Sequence, residues 1–274
     1  MSSAYAADEQ TRHNMALGRD ILAKPYRFVR RLLDFRMVDE NSIHALWEQR
    51  HLRRLLSHYD VDCVFDVGAN YGQYAQMLRR FCRYKGWIVS FEPIPAVSAA
   101  LRARAASDPK WITEEVALGS RDGVQTFNIM KSSQFSSLSV PRHDDVATFR
   151  ELNSVVDSVS VKTETLDTAF ARLQHRLGFR RPFLKLDTQG YDTAIVSHAG
   201  AALMQFVGLQ SELAVKKLYV DSEDFRDALT IYEGRGFTLS ALVPNNQGHF
   251  PRLIEIDCIM VRTDLLTTAG DDYA

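Results

Sequence analysis

The sequence predicts an α/β fold: a doubly wound, mostly parallel seven-stranded sheet, preceded by a helical extension and interrupted by an inserted β segment. Three observations predict it. From Val61 onward, short apolar runs alternate with stretches of helical length, the pattern of strands joined by crossover helices. The first run, Val64-Phe65-Asp66-Val67, passes into Gly68-Ala69-Asn70-Tyr71-Gly72, a glycine turn of the sort that links strand to helix in nucleotide-binding βαβ units. The next apolar run ends in a carboxylate, Glu92.

Residues 1–60 read as a helical N-terminal extension. Pro25 to Val38 interleaves Phe28, Leu32, Leu33 and Phe35 with Arg27, Arg30, Arg31 and Arg36, an amphipathic basic helix that either packs on the domain or meets an acidic surface. A second helix is expected from Asn41, its N-cap, to Leu56, with Ile43, Leu46, Leu52 and Leu55 inward. These helices are the expected seat of any homo-oligomer. The domain proper is expected over 61–265, with 266–274 a disordered tail.

Strands are expected at 62–67, 87–92, 112–117, 183–187, 206–213, 236–242 and 254–262, each an apolar run of strand length. Helices are expected at 71–82, 95–106, 167–177, 190–203 and 222–234. Val124–Met130 and Val159–Thr165 read as the inserted strands. The polar stretch between them, 131–158, reads as a long loop over the sheet edge, a length uncommon in a compact domain unless the loop has a task.

Composition narrows the function classes. Hydrophobic content of 46% with 24% charged residues is that of a globular protein. The 33 Lys and Arg nearly cancel the 34 Asp and Glu, so the basic excess with which nucleic-acid binders collect phosphates is missing, and no nucleic-acid partner is expected. No apolar run approaches the roughly 18 residues of a transmembrane helix. Asp8, Glu9 and Arg12 interrupt the N-terminus where a signal peptide needs an apolar region, so a cytoplasmic location is expected. Cys63, Cys82 and Cys258 form no Cys-x-x-Cys pair and read as core residues.

Gly68 and Gly72 remove side chains where backbone has to approach a ligand, and the amides opening the next helix suit an anionic group. A dinucleotide site would carry Gly-x-Gly-x-x-Gly, but Asn70 stands at the middle glycine, which disfavours an NAD-linked oxidoreductase. S-adenosyl-L-methionine offers such a turn a carboxylate and an amine, and offers the following acid a ribose. Asp66 is then expected to answer the cationic end and Glu92 the ribose hydroxyls, with Gly68, Asn70, Tyr71, Gly72, Tyr74 and Pro93 around the cofactor.

Methyl transfer to a hydroxyl needs in-line alignment and removal of a proton. Asp187, closing the strand Phe183–Leu186, and Glu212, closing the next, face the carboxyl edge where open α/β sheets hold ligands. Either one acts as base alone or the pair holds Mg²⁺ that activates the hydroxyl. His198, on the helix after Asp187, is a further candidate base. His143 and His249 lie in loops that could reach the crevice, and Glu255 and Asp257 alternate on a late strand, where one faces the core side and could simply bond a neighbouring arginine.

Four blocks, Asp-Val-Gly-Ala-Asn-x-Gly-x-Tyr (66–74), Phe91-Glu92-Pro93, Ala117-Leu118-Gly119 and Lys185-Leu186-Asp187-Thr188-Gln189-Gly190-Tyr191-Asp192, occur in order. Over about residues 61–262 the chain resembles the FkbM-type family of S-adenosylmethionine-dependent methyltransferases. The resemblance implies the Rossmann-like class I methyltransferase fold with a reversed final strand, and O-methylation of small hydroxylated molecules, with a sugar or glycoside as the expected acceptor. It brings Ala117, Leu118 and Ser137 to the cofactor, Ser136 and Ser139 lying in the same block. Related sugar O-methyltransferases use a metal of the sort that Asp187 and Glu212 would hold. Asp192 stands where the family often has Glu, and residues 1–60 lie outside the likeness. No Asn-Pro-Pro-Tyr or Asp-Pro-Pro-Tyr turn of amine-methylating enzymes occurs, which agrees with an oxygen acceptor. A non-catalytic methyltransferase-like partner subunit would keep the same fold with idle carboxylates.

Overall fold

A computed structural model describes residues 44–142, 151–220, 222–244 and 251–266. The expected basic helix at 25–38, His143, His249 and the tail from 267 lie outside the described residues. The first described helix, α1 (His44–His58), is followed by β1 (Cys63–Val67), α2 (Gln73–Met77, continued by a π turn at Leu78–Cys82), β2 (Trp87–Phe91), α3 (Pro95–Ala105) and β3 (Trp111–Glu114). Then come β4 (Ala117–Leu118), β5 (Gly123–Met130), β6 (Val155–Glu164), α4 (Leu166–Leu177), β7 (Pro182–Leu186) and α5 (Asp192–His198). The chain continues through β8 (Gly208–Ala214), α6 (Phe225–Gly234), β9 (Phe237–Pro244), β10 (Glu255–Arg262) and α7 (Thr263–Leu266).

Seven strands form one sheet in the order β3-β2-β1-β7-β8-β10-β9, parallel except for β10, which runs antiparallel to both β8 and β9. The chain reverses its lateral direction between β1 and β7, the switch point at which such sheets bind ligands. Both flanking strands are buried at every residue, as parallel strands covered on two faces must be. Successive side chains alternate between faces. Phe65 and Val67 join the core under α4, α5 and α6, whereas Val64 joins the core under α1, α2 and α3. Helix α1 packs through Leu52, Leu55 and Leu56 into that second core.

The inserted segment forms a separate three-stranded sheet, β4-β6-β5. The expected strand at 112–117 is divided, because Ala117 and Leu118 leave β2 to pair with Thr163 and Glu164 of β6. β6 begins four residues before the expected Val159; its exposed first half is ordered by antiparallel pairing with β5, which no apolar run announces. The expected helix 190–203 ends at His198, and Asp167 caps the following 3₁₀ turn by accepting from the amides of Gly200 (2.6 Å) and Ala202 (3.0 Å). All three cysteines are buried, and burial pushes the thiols of Cys63 and Cys258 up, which leaves them inert. Among the described residues no helix is long and apolar enough to cross a membrane.

Candidate active site

At the carboxyl edge of β1, β2, β7 and β8 lies a cavity of about 420 Å³. Its position follows from where the strands stop. Val67, Leu186 and Phe91 end β1, β7 and β2, so the residues one step beyond them, Gly68, Asp187 and Glu92, open onto the cavity. β8 runs longer, but its pairing with β7 ends at Leu186 opposite Ser211, which puts Glu212 just past the paired part. Antiparallel β10 enters at the same level and adds Glu255 and Asp257, the latter opposite Glu212.

The glycine turn is closed by Gly68 and Ala69 donating to Phe91 O at 3.1 and 3.0 Å, and by Asp187 N donating to Val67 O at 3.1 Å. Gly68 has φ 76°, and a Cβ there would stand 1.9 Å from Asp187 O. The close approach that Gly68 permits is therefore between the ends of β1 and β7. Gly72 (φ 82°) faces Trp111 and Leu101 at 2.7–2.8 Å; it serves helix packing and does not line the cavity, contrary to the expectation for it.

Glu92 is buried and accepts from Asn70 N at 2.9 Å through Oε2 and from Ile94 N at 3.0 Å through Oε1. Burial pushes its carboxyl up to about 7, with the two amides working against the rise. Because folding tightens this proton, the group stabilises the folded chain while protonated. That contribution is complete below its ordinary value of 4.5 and is lost as pH rises through 7. At roughly 1.4 kcal/mol per pH unit the loss is about 3 kcal/mol. Urea unfolding between pH 5 and 8 should therefore show falling stability, and Glu92→Gln should remove up to about 3 kcal/mol of that fall. An unchanged slope would mean that Glu92 does not carry it.

Across the β1 turn, three strand spacings or about 14 Å from β2 to β8, the other acids gather. Asp187 lies 3.2 Å from Lys185 Nζ through Oδ2 and accepts from Gln189 Nε2 at 2.9 Å through Oδ1. Gln189 Nε2 also donates to Glu212 Oε2 at 2.8 Å. Glu212 is held well above the carboxylate range by burial and by the charges of Glu255 and Asp187. Burial and Asp187 push Glu255 up to about 7; burial, Glu48 and Asp187 raise Asp257. The wall is completed by α1: Glu48 accepts from Gln210 Nε2 at 2.8 Å, and Gln210 accepts from Tyr74 OH at 2.8 Å.

Of the expected site residues, Gly68, Asn70, Tyr74, Glu92, Pro93, Ala117, Leu118, Asp187 and Glu212 line this one cavity. Asp66 does not. It is one residue short of the strand end and fully buried, with Oδ2 accepting from Ser90 Oγ (3.0 Å) and Oδ1 3.4 Å from Lys185 Nζ. Tyr71 turns outward, its carbonyl accepting from Arg104 Nη1 at 2.6 Å. Ser137 is buried beside the cavity, its Oγ 2.8 Å from Thr188 O and 2.7 Å from Gln189 O, so it ties the 131–142 segment to the turn after β7; Ser136 takes the lining position expected of it. His198 sits exposed at the far end of α5, Nδ1 2.8 Å from Ala194 O, and is no base for this site.

Asp187 and Glu212 do not fit a divalent cation. Each gives an oxygen to the Gln189 amide, and no group of three or more His, Cys, Asp or Glu among the described residues is arranged to hold one. Lys185, Gln189, Gln210 and Glu48 were not singled out from sequence. Lys185 and Gln189 belong to the 185–192 block, whereas Glu48 carries no signal beyond its place on an amphipathic helix.

Similar solved structures include fibrillarin from Aeropyrum pernix in complex with natively bound S-adenosyl-L-methionine, at 13% identity and TM-score 0.42 over 73% of this chain and 66% of that one. Magnesium protoporphyrin IX methyltransferase from Synechocystis with bound S-adenosylmethionine is similar at 10% identity and TM-score 0.43, over 90% of this chain and 96% of that one. Methyltransferase FkbM from Methylobacillus flagellatus is similar at 11% identity and TM-score 0.42, over 82% of this chain and 56% of that one. The matched part is thus under two thirds of the Aeropyrum and Methylobacillus chains. No curated protein matches this sequence. The model of the methyltransferase FkbM domain matches residues 66–239, from the glycine turn through β7 and β8 into β9. The chain belongs to the FkbM methyltransferase family.

Proposed function

We propose that this chain is an S-adenosylmethionine-dependent O-methyltransferase whose acceptor is a hydroxyl of a sugar or glycoside. The observation that carries the reading is the single cavity that has Glu92 on one side of the β1 turn and Asp187 with Glu212 on the other. The cofactor fits its first half. Each Glu92 oxygen accepts one backbone amide and keeps a lone pair for one of two ribose hydroxyls. Asn70 Oδ1 is buried with no hydrogen-bond partner among the described residues, an acceptor for the amino end. When bound, S-adenosylmethionine supplies an activated methyl group.

The second half suits a polyhydroxylated acceptor. Glu48, Glu255 and Asp257 offer hydroxyl-accepting oxygens around it. Asp187, oriented by Lys185 and Gln189, takes the proton of the reacting hydroxyl at its carboxylate. Glu212 keeps its own proton because of burial and its acidic neighbours, so it orients the acceptor and is not the base. No step runs through a metal. The same reading takes 61–265 as the transferase domain, with α1 packed on it and lending Glu48 to the cavity wall, and the cytoplasm as its location.

Calorimetry with S-adenosylhomocysteine should give micromolar binding, and with NADH no heat; the reverse pattern would overturn the cofactor. With labelled methyl donor and a panel of sugars and glycosides, Asp187→Asn should lower transfer by about 10²–10⁴-fold. Its affinity for S-adenosylhomocysteine should stay within a few fold. Undiminished transfer would remove Asp187 from the chemistry.

A further inference from the structure

Two acid side chains on adjacent strands that face one cavity cannot both ionise freely unless a donor or a cation stands between them. Here the group between Asp187 and Glu212 is a neutral amide. Gln189 Nε2 is 2.9 Å from Asp187 Oδ1 and 2.8 Å from Glu212 Oε2, so the two N–H bonds of one nitrogen serve the two acids. These are hydrogen-bond lengths; Mg²⁺ would draw the same oxygens to about 2.1 Å.

The amide is held there from three directions. Gln189 has φ 56°, in the left-handed region, and its carbonyl accepts from Ser137 Oγ at 2.7 Å. Its neighbour Gly190 lies so close to the Tyr219 ring that a Cβ would meet it at 2.6 Å. The Tyr219 hydroxyl, shared with Phe135 O at 2.8 Å, approaches Gln189 Oε1 at 3.1 Å, which turns the oxygen end toward a donor and the nitrogen end toward the acids. This much restraint on one half-buried turn glutamine has no purpose in the packing of the sheet, since the side chain extends into the cavity.

We propose that Gln189 is a positioning residue of this site, its amide standing where a divalent cation would otherwise bridge Asp187 and Glu212, so that the site takes up no such cation. The catalytic consequence rests on the O-methyltransferase reading: an amide fixes Asp187 while leaving it free to accept a proton, whereas a dication would compete with that proton.

The test uses Mn²⁺, followed by the electron paramagnetic resonance of the free ion, on the full chain and its variants. The wild-type chain should take up no Mn²⁺ at millimolar concentration. Gln189→Glu puts a third carboxylate at the bridge and should bind one Mn²⁺ per chain with Kd at or below about 1 mM. Adding Asp187→Asn to it should abolish that binding. One ion on the wild-type chain, displaced by Mg²⁺ and lost in Asp187→Asn, overturns the proposal, and this arm stands whether or not Gln189→Glu folds. A Gln189→Glu chain with wild-type circular dichroism and no Mn²⁺ also overturns it. S-adenosylhomocysteine calorimetry on the same wild-type preparation separates the two readings: absent heat there sinks the proposed function and leaves the Mn²⁺ result to stand alone.

Discussion

Gly68→Ala should destabilise the chain by more than about 3 kcal/mol and abolish binding of S-adenosylhomocysteine. Two separate penalties fall on one methyl group. At φ 76° an alanine sits in the left-handed region, which costs about 1–2 kcal/mol by itself. The larger penalty is steric, because the new Cβ would stand 1.9 Å from the Asp187 carbonyl oxygen and 2.8 Å from its carbon. Backbone cannot yield as a side-chain tip does. Asp187 N is hydrogen-bonded to Val67 O, and β7 is paired with β1 on one side and β8 on the other, so relief requires parting the sheet at its switch point. Gly178, at φ 68° with nothing within 4 Å of its added Cβ, isolates the conformational part, and Gly178→Ala should cost only about 1 kcal/mol. Urea unfolding of both variants makes the comparison. If Gly68→Ala falls within 1 kcal/mol of Gly178→Ala, the ends of β1 and β7 can move apart and the turn is not the fixed element described above.

Much of this architecture was legible because both central strands are apolar runs broken only by Asp66 and Lys185, with stretches of helical length between the strands. The seven strands expected from the sequence pattern all occur, displaced by a residue or two, with the third one divided. The site was legible where a residue follows the last strand position, since such a residue opens onto the carboxyl edge whatever its neighbours are. Glu92 after Phe91 and Asp187 after Leu186 meet that condition. Asp66 misses it by two residues, standing one short of the strand end, and lies in the interior instead of at the cavity. The sequence also hides cross-strand neighbours. Asp66 stands opposite both Ser90 and Lys185 in the parallel register, so a polar row crosses three adjacent strands: Ser90, Asp66 and Lys185. Trp111 Nε1 donates to Ser90 Oγ at 2.9 Å and extends the row to β3. Ser137 and Glu48 depended on where an irregular segment and a helix fold back, which periodicity does not encode.

That polar row sets up the second large effect. Lys185→Met should destabilise the chain by about 3–5 kcal/mol, the loss expected when one partner of a buried ion pair is removed and the other stays charged. The lysine side chain is 8% exposed and Asp66 is 0% exposed, so water does not replace the ammonium for Asp66, whereas Asp187, 39% exposed, can turn to solvent. The variant should also acquire a pH dependence of definite sign. Burial already raises the Asp66 carboxyl, with the Lys185 ammonium and the Ser90 hydroxyl holding it down. Without the ammonium it rises further, and the folded variant binds a proton that the unfolded chain at the same pH does not. Its stability is then fullest in acid and falls as pH rises, so the gap from wild type should be widest at alkaline pH and narrow on acidification. Asp66→Asn introduced together with Lys185→Met leaves no buried charge in the row and should recover most of the loss, with the pH dependence back to that of the wild-type chain. Unfolding midpoints from pH 5 to 9 for the three variants decide the matter. A double variant no more stable than Lys185→Met alone would mean that the lysine's energetic partner is Asp187, and that the buried row through Asp66 contributes nothing to holding Lys185.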